Sequence, residues 1–371
     1  MSTTPFDPGE SRAAGVSHLA PIERLVTHAA AEVRMLATLT PVNALEERAR
    51  LTAELRAGRA PVPGWTYAPR DHQGLRRALD AADGALDRLG DAPLAGEYQG
   101  RVRELLLELA LCAAAGTSDV AHLARRRFPS DGRFTAEASE LGDTWLETEP
   151  RTVAPGSAMP SDDPDPRSLL SRMRAAVGAA RLPFTVAPQP SLAPLAATGD
   201  SVIFVAAGRL VHEEDAARTV VHEVEGHARP RARSLSAPIS LFRVGTARGI
   251  DDQEGRALLL EERAGLLGAR RKRQLGARHR AVEAMVHGAS FAETATILKD
   301  AHGLDAADAV LVAERAFRGS DGSHPGLGRE RVYLEALVRV RAHLLERPDD
   351  EHVLEQGQVS VDAIDALRRA L

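Results

Sequence analysis

Cysteine is almost absent from this chain of 371 residues, since Cys112 is the only one. An internal disulfide is therefore excluded, and the apolar run around Cys112 predicts a buried thiol in a reducing compartment. Long apolar runs are also missing. No stretch of about 18 apolar residues could cross a membrane, and the polar first residues lack the basic and apolar regions of a signal peptide. These absences predict a soluble, cytoplasmic protein.

A strong excess of charge of either sign is absent as well. The formal net charge is -5 and the pI is about 6.2. The basic clusters at 125–127 and 270–273 lie beside helical patterns with acidic neighbours, which is typical of solvated helix ends. We therefore expect neither nucleic acid nor a membrane as a partner, and nothing in the composition indicates an oligomeric state.

Periodicity and proline content divide the chain into five regions. These are a flexible tail at 1–18, a helical region at 19–149, a proline-rich loop at 150–166, a mixed region at 167–348 and a C-terminal helix at 349–371. Two strands are predicted in the mixed region, at 184–187 and 201–205, and its other periodic segments are helical. The predicted class is α+β and predominantly helical, with a small β element before the helix that carries the motif below.

A His-Glu pair and a second histidine form this motif, at His222, Glu223 and His227. The surrounding apolar residues recur at helical spacing and leave His222 and Glu223 free to face a cleft. The two histidines are five residues apart, which on an ideal α-helix separates them by about 140° and prevents them from sharing an ion. Gly226, with Pro230 shortly after, predicts that the helix ends or unwinds there and turns His227 back towards a metal.

A hydrolytic zinc site needs three protein ligands and one open position. The third ligand is predicted in the segment 251–255, where Asp252 is a candidate N-cap of a helix over 253–273 and Glu254 lies in its first turn. A short motif of this kind also arises by chance. The alternative is that the glutamates face solvent and the histidines have no shared function.

The motifs resemble the microtubule-associated tyrosine carboxypeptidases and their bacterial relatives, which are named for a Gln-Glu-Gly-Leu-Ala sequence. The family pattern of His-Glu-x-x-x-His, Gly-x-Ala and Gln-Glu-Gly-x-Ala occurs here at 222–227, 245–247 and 253–257. Segments at 288–291, 317–319 and 329–334 are also similar to the family, so the resemblance covers most of residues 20–345.

The resemblance implies a zincin-like metallopeptidase with one zinc ion per chain, and it makes the region 167–348 the zinc catalytic region. It assigns His222, His227 and Glu254 as zinc ligands and Glu223 as the general base that activates water.

Three further residues are candidates for contact with a substrate. Tyr333 matches a family tyrosine and would stabilise an oxyanion, although an ordinary half-buried helix tyrosine is the alternative. Arg318 and Arg329 are candidates to bind the C-terminal carboxylate of a peptide, since arginine does this through paired hydrogen bonds, although an ordinary surface arginine is the alternative for each.

Departures from the family pattern occur at Glu225, Gly226, Pro230 and Arg256. They lie near the expected substrate side, so a preference for C-terminal tyrosine is not implied. The sequence predicts a zinc-dependent carboxypeptidase that acts on the C-terminus of a peptide or protein. A zinc endopeptidase or peptide-maturation hydrolase, and a non-catalytic regulatory protein that keeps the zinc fold, are the alternatives.

Overall fold

Helices dominate the computed structural model, which describes residues 8–90, 92, 94–149, 158–190, 192 and 194–370. The first seven helices are α1 (Pro8–Glu32), α2 (Met35–Thr38), α3 (Ala44–Arg56), α4 (Gln73–Leu89), α5 (Ala95–Ala113), α6 (Asp119–Arg127) and α7 (Arg133–Leu146). Residues 1–7 of the predicted tail lie outside the described residues, and residues 8–18 belong to α1. Among the described helices, none combines the length and apolar character needed to span a bilayer.

Five short strands and one helix follow. They are β1 (Ala158–Pro160), α8 (Leu169–Ala179), β2 (Thr185–Gln189), β3 (Ala196–Thr198), β4 (Val202–Ala206) and β5 (Leu210–His212). Strand β4 pairs with β2 in parallel and with β3 in antiparallel orientation, while β1 pairs with β5. The predicted strands correspond to β2 and β4, so the α+β class is confirmed. Of the predicted proline-rich loop, 150–157 lie outside the described residues and 158–160 form β1.

The helix that carries both histidines does not end at Gly226. An α-helical segment, α9 (Glu213–Val220), continues as a π-helix, π1 (Val221–Ala228), and then as α10 (Arg229–Ser234). The amide of Arg229 donates to the carbonyl of Val224, five residues earlier. The prediction of an unwound helix is therefore wrong, because the chain changes its hydrogen-bond spacing instead of breaking it.

Pro230 is accommodated near the end of this π-helical turn, at the start of α10. Proline has no amide hydrogen, so it cannot donate to a carbonyl of the preceding turn. The carbonyl of Glu225, five residues before it, instead accepts from Nη1 of Arg256 at 3.3 Å. Arg256 stands at the leucine position of the Gln-Glu-Gly-Leu-Ala sequence. Its guanidinium thus supplies the Glu225 carbonyl with a donor that the proline cannot provide.

The remaining helices complete the chain. They are α11 (Leu241–Val244), α12 (Gly249–Arg263), α13 (Ala269–Val286), α14 (Phe291–Thr296), π2 (Ile297–Ala301), α15 (Ala306–Phe317), α16 (Val332–Glu346), α17 (Glu351–Leu354) and α18 (Ile364–Ala370). Three 3₁₀ turns lie at Arg329–Arg331, Pro348–Asp350 and Val361–Ala363. The predicted single helix at 349–371 is therefore a 3₁₀ turn and α17, followed by another 3₁₀ turn and α18.

The predicted helix over 253–273 is also corrected. Helix α12 starts earlier and stops at Arg263, and Gly265 follows in the left-handed region with a φ of 69°. Asp252 is not an N-cap, because it lies inside α12 and is buried. Its carboxylate lies 3.2 Å from Nη1 of Arg339 and accepts from the amide of Val361 at 2.9 Å.

Helix α12 is held between π1 and α16 by two glycines. A Cβ atom added at Gly226 of π1 would lie 2.6 Å from the Cβ of Ala257. One added at Gly255 would lie 2.4 Å from the backbone of Ala336 in α16. Only glycine allows these backbones to approach so closely, and the result places Glu254 beside the two histidines.

A buried ionic layer joins the N-terminal helices to α12. Arg127 of α6 contacts Glu104 and Glu108 of α5 at 3.1 Å each, and Asp251 of α12 at 2.8 Å. All four side chains are buried, and burial raises the pKa of Glu108. These contacts hold the start of α12 against α5 and α6 of the N-terminal helical region.

We predict that Arg127→Ala lowers the free energy of unfolding by about 3–5 kcal/mol, because it leaves buried carboxylates without their counter-charge. Denaturant unfolding followed by circular dichroism measures this. Arg126→Ala is the control, since Arg126 lies on the same helix and is exposed. Equal stability of the two variants would contradict the structural role of the layer.

Candidate metal centre

Three potential ligand atoms converge where π1 meets α12. Nε2 of His222 lies 3.2 Å from Nε2 of His227, and Oε2 of Glu254 lies 3.4 Å and 3.8 Å from these two atoms. In a π-helix each hydrogen bond closes five residues along, so residues five apart face the same way as residues four apart in an α-helix. The five-residue spacing therefore suits one shared ion.

The triangle has the dimensions of a metal site. Three donors at zinc-like bond lengths around a tetrahedral centre lie about 3.4 Å apart. Oε2 of Glu254 is buried and has no hydrogen-bond donor among the described residues, although two imidazole nitrogens face it. Within the described part of the chain, this is the only group of three or more such side chains that could hold a metal. Two imidazoles and one carboxylate also suit a divalent transition metal.

The outer nitrogen of His222 is held by a buried carboxylate. Nδ1 of His222 lies 2.8 Å from Oε1 of Glu261, which is fully buried and also contacts Arg271 at 3.3 Å. Burial opposes ionisation of Glu261, but Arg271 and His222 outweigh it and lower its pKa to about 2. Burial likewise disfavours a charged His222, but Glu254 and Glu261 raise its pKa to about 9. Such an outer carboxylate orients the ring and increases its basicity as a ligand.

The other two candidate ligands also have supporting partners. Nδ1 of His227 lies 3.0 Å from Oε1 of Gln253, which favours the tautomer with Nε2 directed at the triangle. Oε1 of Glu254 accepts from Nη2 of Arg329 at 3.2 Å. Burial raises the pKa of Glu254, but His222, His227 and Arg329 outweigh it and hold the pKa far below the usual range. Glu254 is therefore ionised at neutral pH.

Glu223 contacts a residue that lines a cleft beside the triangle. Its buried carboxylate accepts from Oγ1 of Thr198 at 2.7 Å. Thr198, the last residue of β3, lines a cleft of about 260 Å³ together with His227 and Gln253. The edge of the small sheet thus fixes the orientation of the glutamate through a residue of the cleft.

Of the remaining predicted site residues, Arg329 and Tyr333 lie on the Glu254 side. Arg329 is buried and donates through Nη1 to Oη of Tyr333 at 3.4 Å, so both are joined to the triangle through Glu254. Arg318 directly follows α15, is half-buried and makes no hydrogen bond with its side chain to any described residue. Burial lowers the pKa of Arg318.

Sequence reasoning missed the roles of Glu261, Gln253, Thr198 and Arg329 as partners of the central residues. Glu261 carries a usable signal, because it stands seven residues after Glu254 on the same helix and therefore on a similar face. Gln253 directly precedes Glu254 in the motif, but its contact with His227 depends on the packing of two helices. Thr198 lies in a strand of three residues, which is too short to show periodicity.

A family model described as microtubule-associated tyrosine carboxypeptidase matches residues 55–371. The chain belongs to this family. None of the curated proteins compared with the chain matches it.

The match to the carboxypeptidase family extends beyond residue 345, where the motif resemblance stops. The structure gives this C-terminal segment a place in the site. The carbonyl of Gln358 accepts from the amide of Thr246 at 2.9 Å, and Oγ1 of Thr246 accepts from the amide of Ser360 at 2.8 Å. Gln358 also lines the cleft beside His227.

We predict that Gly226→Ala weakens Zn²⁺ binding by about tenfold or more, because the added Cβ forces π1 away from α12 and separates Glu254 from the histidines. The same overpacking costs about 1–3 kcal/mol of stability. Calorimetric titration with Zn²⁺ and thermal unfolding measure both effects. Gly178→Ala is the control, since Gly178 lies within a helix and a Cβ there meets nothing within 4 Å. Unchanged affinity in Gly226→Ala would contradict the close packing.

Proposed function

We propose that this protein is a zinc-dependent carboxypeptidase that removes one C-terminal residue from a peptide or protein. The observation that carries the proposal is the triangle of His222, His227 and Glu254, with Glu223 on the same π-helical turn and hydrogen-bonded to Thr198, which lines the cleft beside His227. Membership of a family named for a carboxypeptidase supports the same reaction. A zincin-like arrangement is part of the proposal, and it is supported by the contact between the motif helix and the edge strand β3.

His222, His227 and Glu254 would hold the zinc ion. Zinc supplies a Lewis acid that polarises a carbonyl and lowers the pKa of water. Glu223 acts as the general base: its carboxylate takes a proton from the water that attacks the carbonyl carbon and passes it to the leaving amine. The hydrogen bond from Thr198 occupies one carboxylate oxygen and holds the side chain in place for this transfer.

Tyr333 is the proposed donor to the oxyanion. Its hydroxyl lies beside Arg329, and the guanidinium carbon of Arg329 is 5.6 Å from the centroid of the tyrosine ring. This positive charge makes the phenol a better hydrogen-bond donor to developing negative charge. Because Arg329 also holds Glu254, it links the ligand to the proposed donor.

Arg318 is the better candidate of the two proposed arginines for the substrate carboxylate. Arg329 already contacts Glu254 and Tyr333, whereas the Arg318 guanidinium makes no hydrogen bond to a described residue. A free, partly exposed guanidinium can bind a carboxylate through two parallel hydrogen bonds. We assign the main carboxylate contact to Arg318 and a supporting role to Arg329.

We predict about one zinc ion per purified chain and a sharp loss of zinc in His227→Ala. Elemental analysis after dialysis measures the content. His287→Ala is the control, because His287 is exposed and bonds only to a backbone carbonyl. A wild-type protein that holds no zinc even after reconstitution would overturn the hydrolase proposal.

We predict that Glu223→Gln lowers kcat/KM for peptide hydrolysis by about 10²–10⁴-fold, because the amide cannot accept the proton. Zinc content should be unchanged, since Glu223 is not a proposed ligand. Glu225→Gln is a matched control on the same helix, where Glu225 pairs with Arg229 and is partly exposed. Full activity in Glu223→Gln would exclude this residue as the base.

The position of cleavage is tested by comparing each peptide substrate with a copy whose C-terminus is amidated. Amidation of the C-terminus should abolish cleavage, because it removes the carboxylate that Arg318 binds. Cleavage that continues at internal bonds of an amidated peptide would assign the protein as an endopeptidase.

A further inference from the structure

Gln253 uses only one end of its side-chain amide at the candidate metal centre. It precedes Glu254 on α12, lines the cleft and is 6% exposed. Its Oε1 atom lies 3.0 Å from Nδ1 of His227. Because His227 directs Nε2 at the triangle, Nδ1 carries the proton and Gln253 accepts there. The amide nitrogen of Gln253 is therefore turned away from His227.

The amide nitrogen of Gln253 is a hydrogen-bond donor without a partner. Nε2 carries two N–H groups and makes no hydrogen bond with any described residue. Unlike Nε of Arg231, another residue of the cleft lining, this nitrogen is not closed off from the surface. Since Gln253 is otherwise buried, its two N–H groups open onto the cleft. Free donors on a buried side chain indicate a ligand that accepts hydrogen bonds.

The charged groups that line the cleft are largely matched by other groups of the protein. Arg101 contacts Glu104 at 2.5 Å, and both side chains are buried. Arg231 contacts Asp200 at 2.7 Å, and Arg243 is exposed to solvent. A carboxamide is itself uncharged, so it binds a neutral acceptor without leaving a buried charge behind. The carbonyl group of a peptide bond is such an acceptor.

The two sides of the triangle have different surroundings. Tyr333 and Arg329 lie on the side of Glu254, whereas Gln253 lies beside His227. Under the proposed function, the oxyanion and the C-terminal residue belong on the Glu254 side, so the residues before the scissile bond extend along His227. One residue of extended chain advances about 3.3–3.6 Å. The first carbonyl before the scissile one thus falls beside the amide nitrogen of Gln253.

We propose that Gln253 binds the substrate, and that its Nε2 donates a hydrogen bond to the carbonyl one residue before the scissile peptide bond. This proposal rests on the proposed carboxypeptidase function. Because the acceptor is a backbone group, the contact does not depend on the side chain of the penultimate residue. It places no requirement on the C-terminal residue either, and it is compatible with tyrosine there.

The test compares two substrates that both end in tyrosine, N-acetyl-phenylalanyl-tyrosine and 3-phenylpropanoyl-tyrosine. The second lacks only the acetamido group, and with it the carbonyl that Gln253 binds. We expect kcat/KM of the wild type to be about 5–10-fold higher for the acetylated substrate, as for one neutral hydrogen bond. Equal kcat/KM values for the two substrates would overturn the proposal and leave the carboxypeptidase function standing.

The variant Gln253→Glu separates the substrate contact from the support of the metal. A glutamate carboxylate still accepts from Nδ1 of His227, but it has no N–H group to donate. We expect this variant to keep about one zinc ion per chain and to lose the preference for the acetylated substrate. A preference that survives in the zinc-loaded variant would mean that Gln253 acts only through His227, and the proposal would be wrong.

Gln73→Glu is the control variant, because it makes the same chemical change outside the cleft. Gln73 is the first residue of α4, is exposed and does not line the cleft. This variant should retain the zinc content and the substrate preference of the wild type. Loss of the preference in both variants would assign the effect to added negative charge and would count against the contact.

A binding measurement separates the failure of this proposal from the failure of the proposed function. The zinc-loaded Glu223→Gln protein is titrated with both compounds by calorimetry. If the wild type hydrolyses neither compound, tighter binding of the acetylated one that is lost on adding Gln253→Glu still supports the contact. If binding does not depend on the acetamido group, the contact is wrong whatever the catalytic activity.

Discussion

The hydrogen-bond spacing of π1 is the constraint on which the candidate site depends. In an α-helix, side chains five residues apart point in different directions, and His222 and His227 could not share an ion. The π-helical turn places both Nε2 atoms 3.2 Å apart without ending the helix. Gly226 then allows π1 to approach α12 closely enough for Glu254 to complete the triangle. The π-helical spacing of π1 and the lack of a side chain at Gly226 together determine how the candidate ligands are arranged.

Buried ion pairs support this arrangement at increasing distance from the triangle. Glu261 contacts His222, Arg329 contacts Glu254, and Arg127 contacts Asp251, which precedes Glu254 on α12. Each of these charges is buried and has an opposite charge nearby.

Much of the site followed from local sequence, and the rest depended on packing. The His-Glu pair, the second histidine and Glu254 were found from motif and spacing, and the structure brings the three ligand candidates together. The unwinding predicted at Gly226 was wrong because a change from α- to π-helical spacing leaves no separate mark in the sequence. A glycine in the sequence is compatible both with a break in the helix and with the close approach of a second helix. Only the position of Ala257 in the structure decides between the two. The contacts of Thr198 and Gln358 were not predictable, since both depend on distant segments of the chain.

The contact of Gln358 with the loop before α12 has a consequence for the order in which the protein is made. Gln358 lines the cleft, and its carbonyl binds Thr246, more than a hundred residues earlier in the chain. During translation π1 and α12, which carry the candidate ligands, emerge from the ribosome well before Gln358 is synthesised. A nascent chain therefore carries an incomplete cleft, and the finished site forms only after synthesis has passed residue 358.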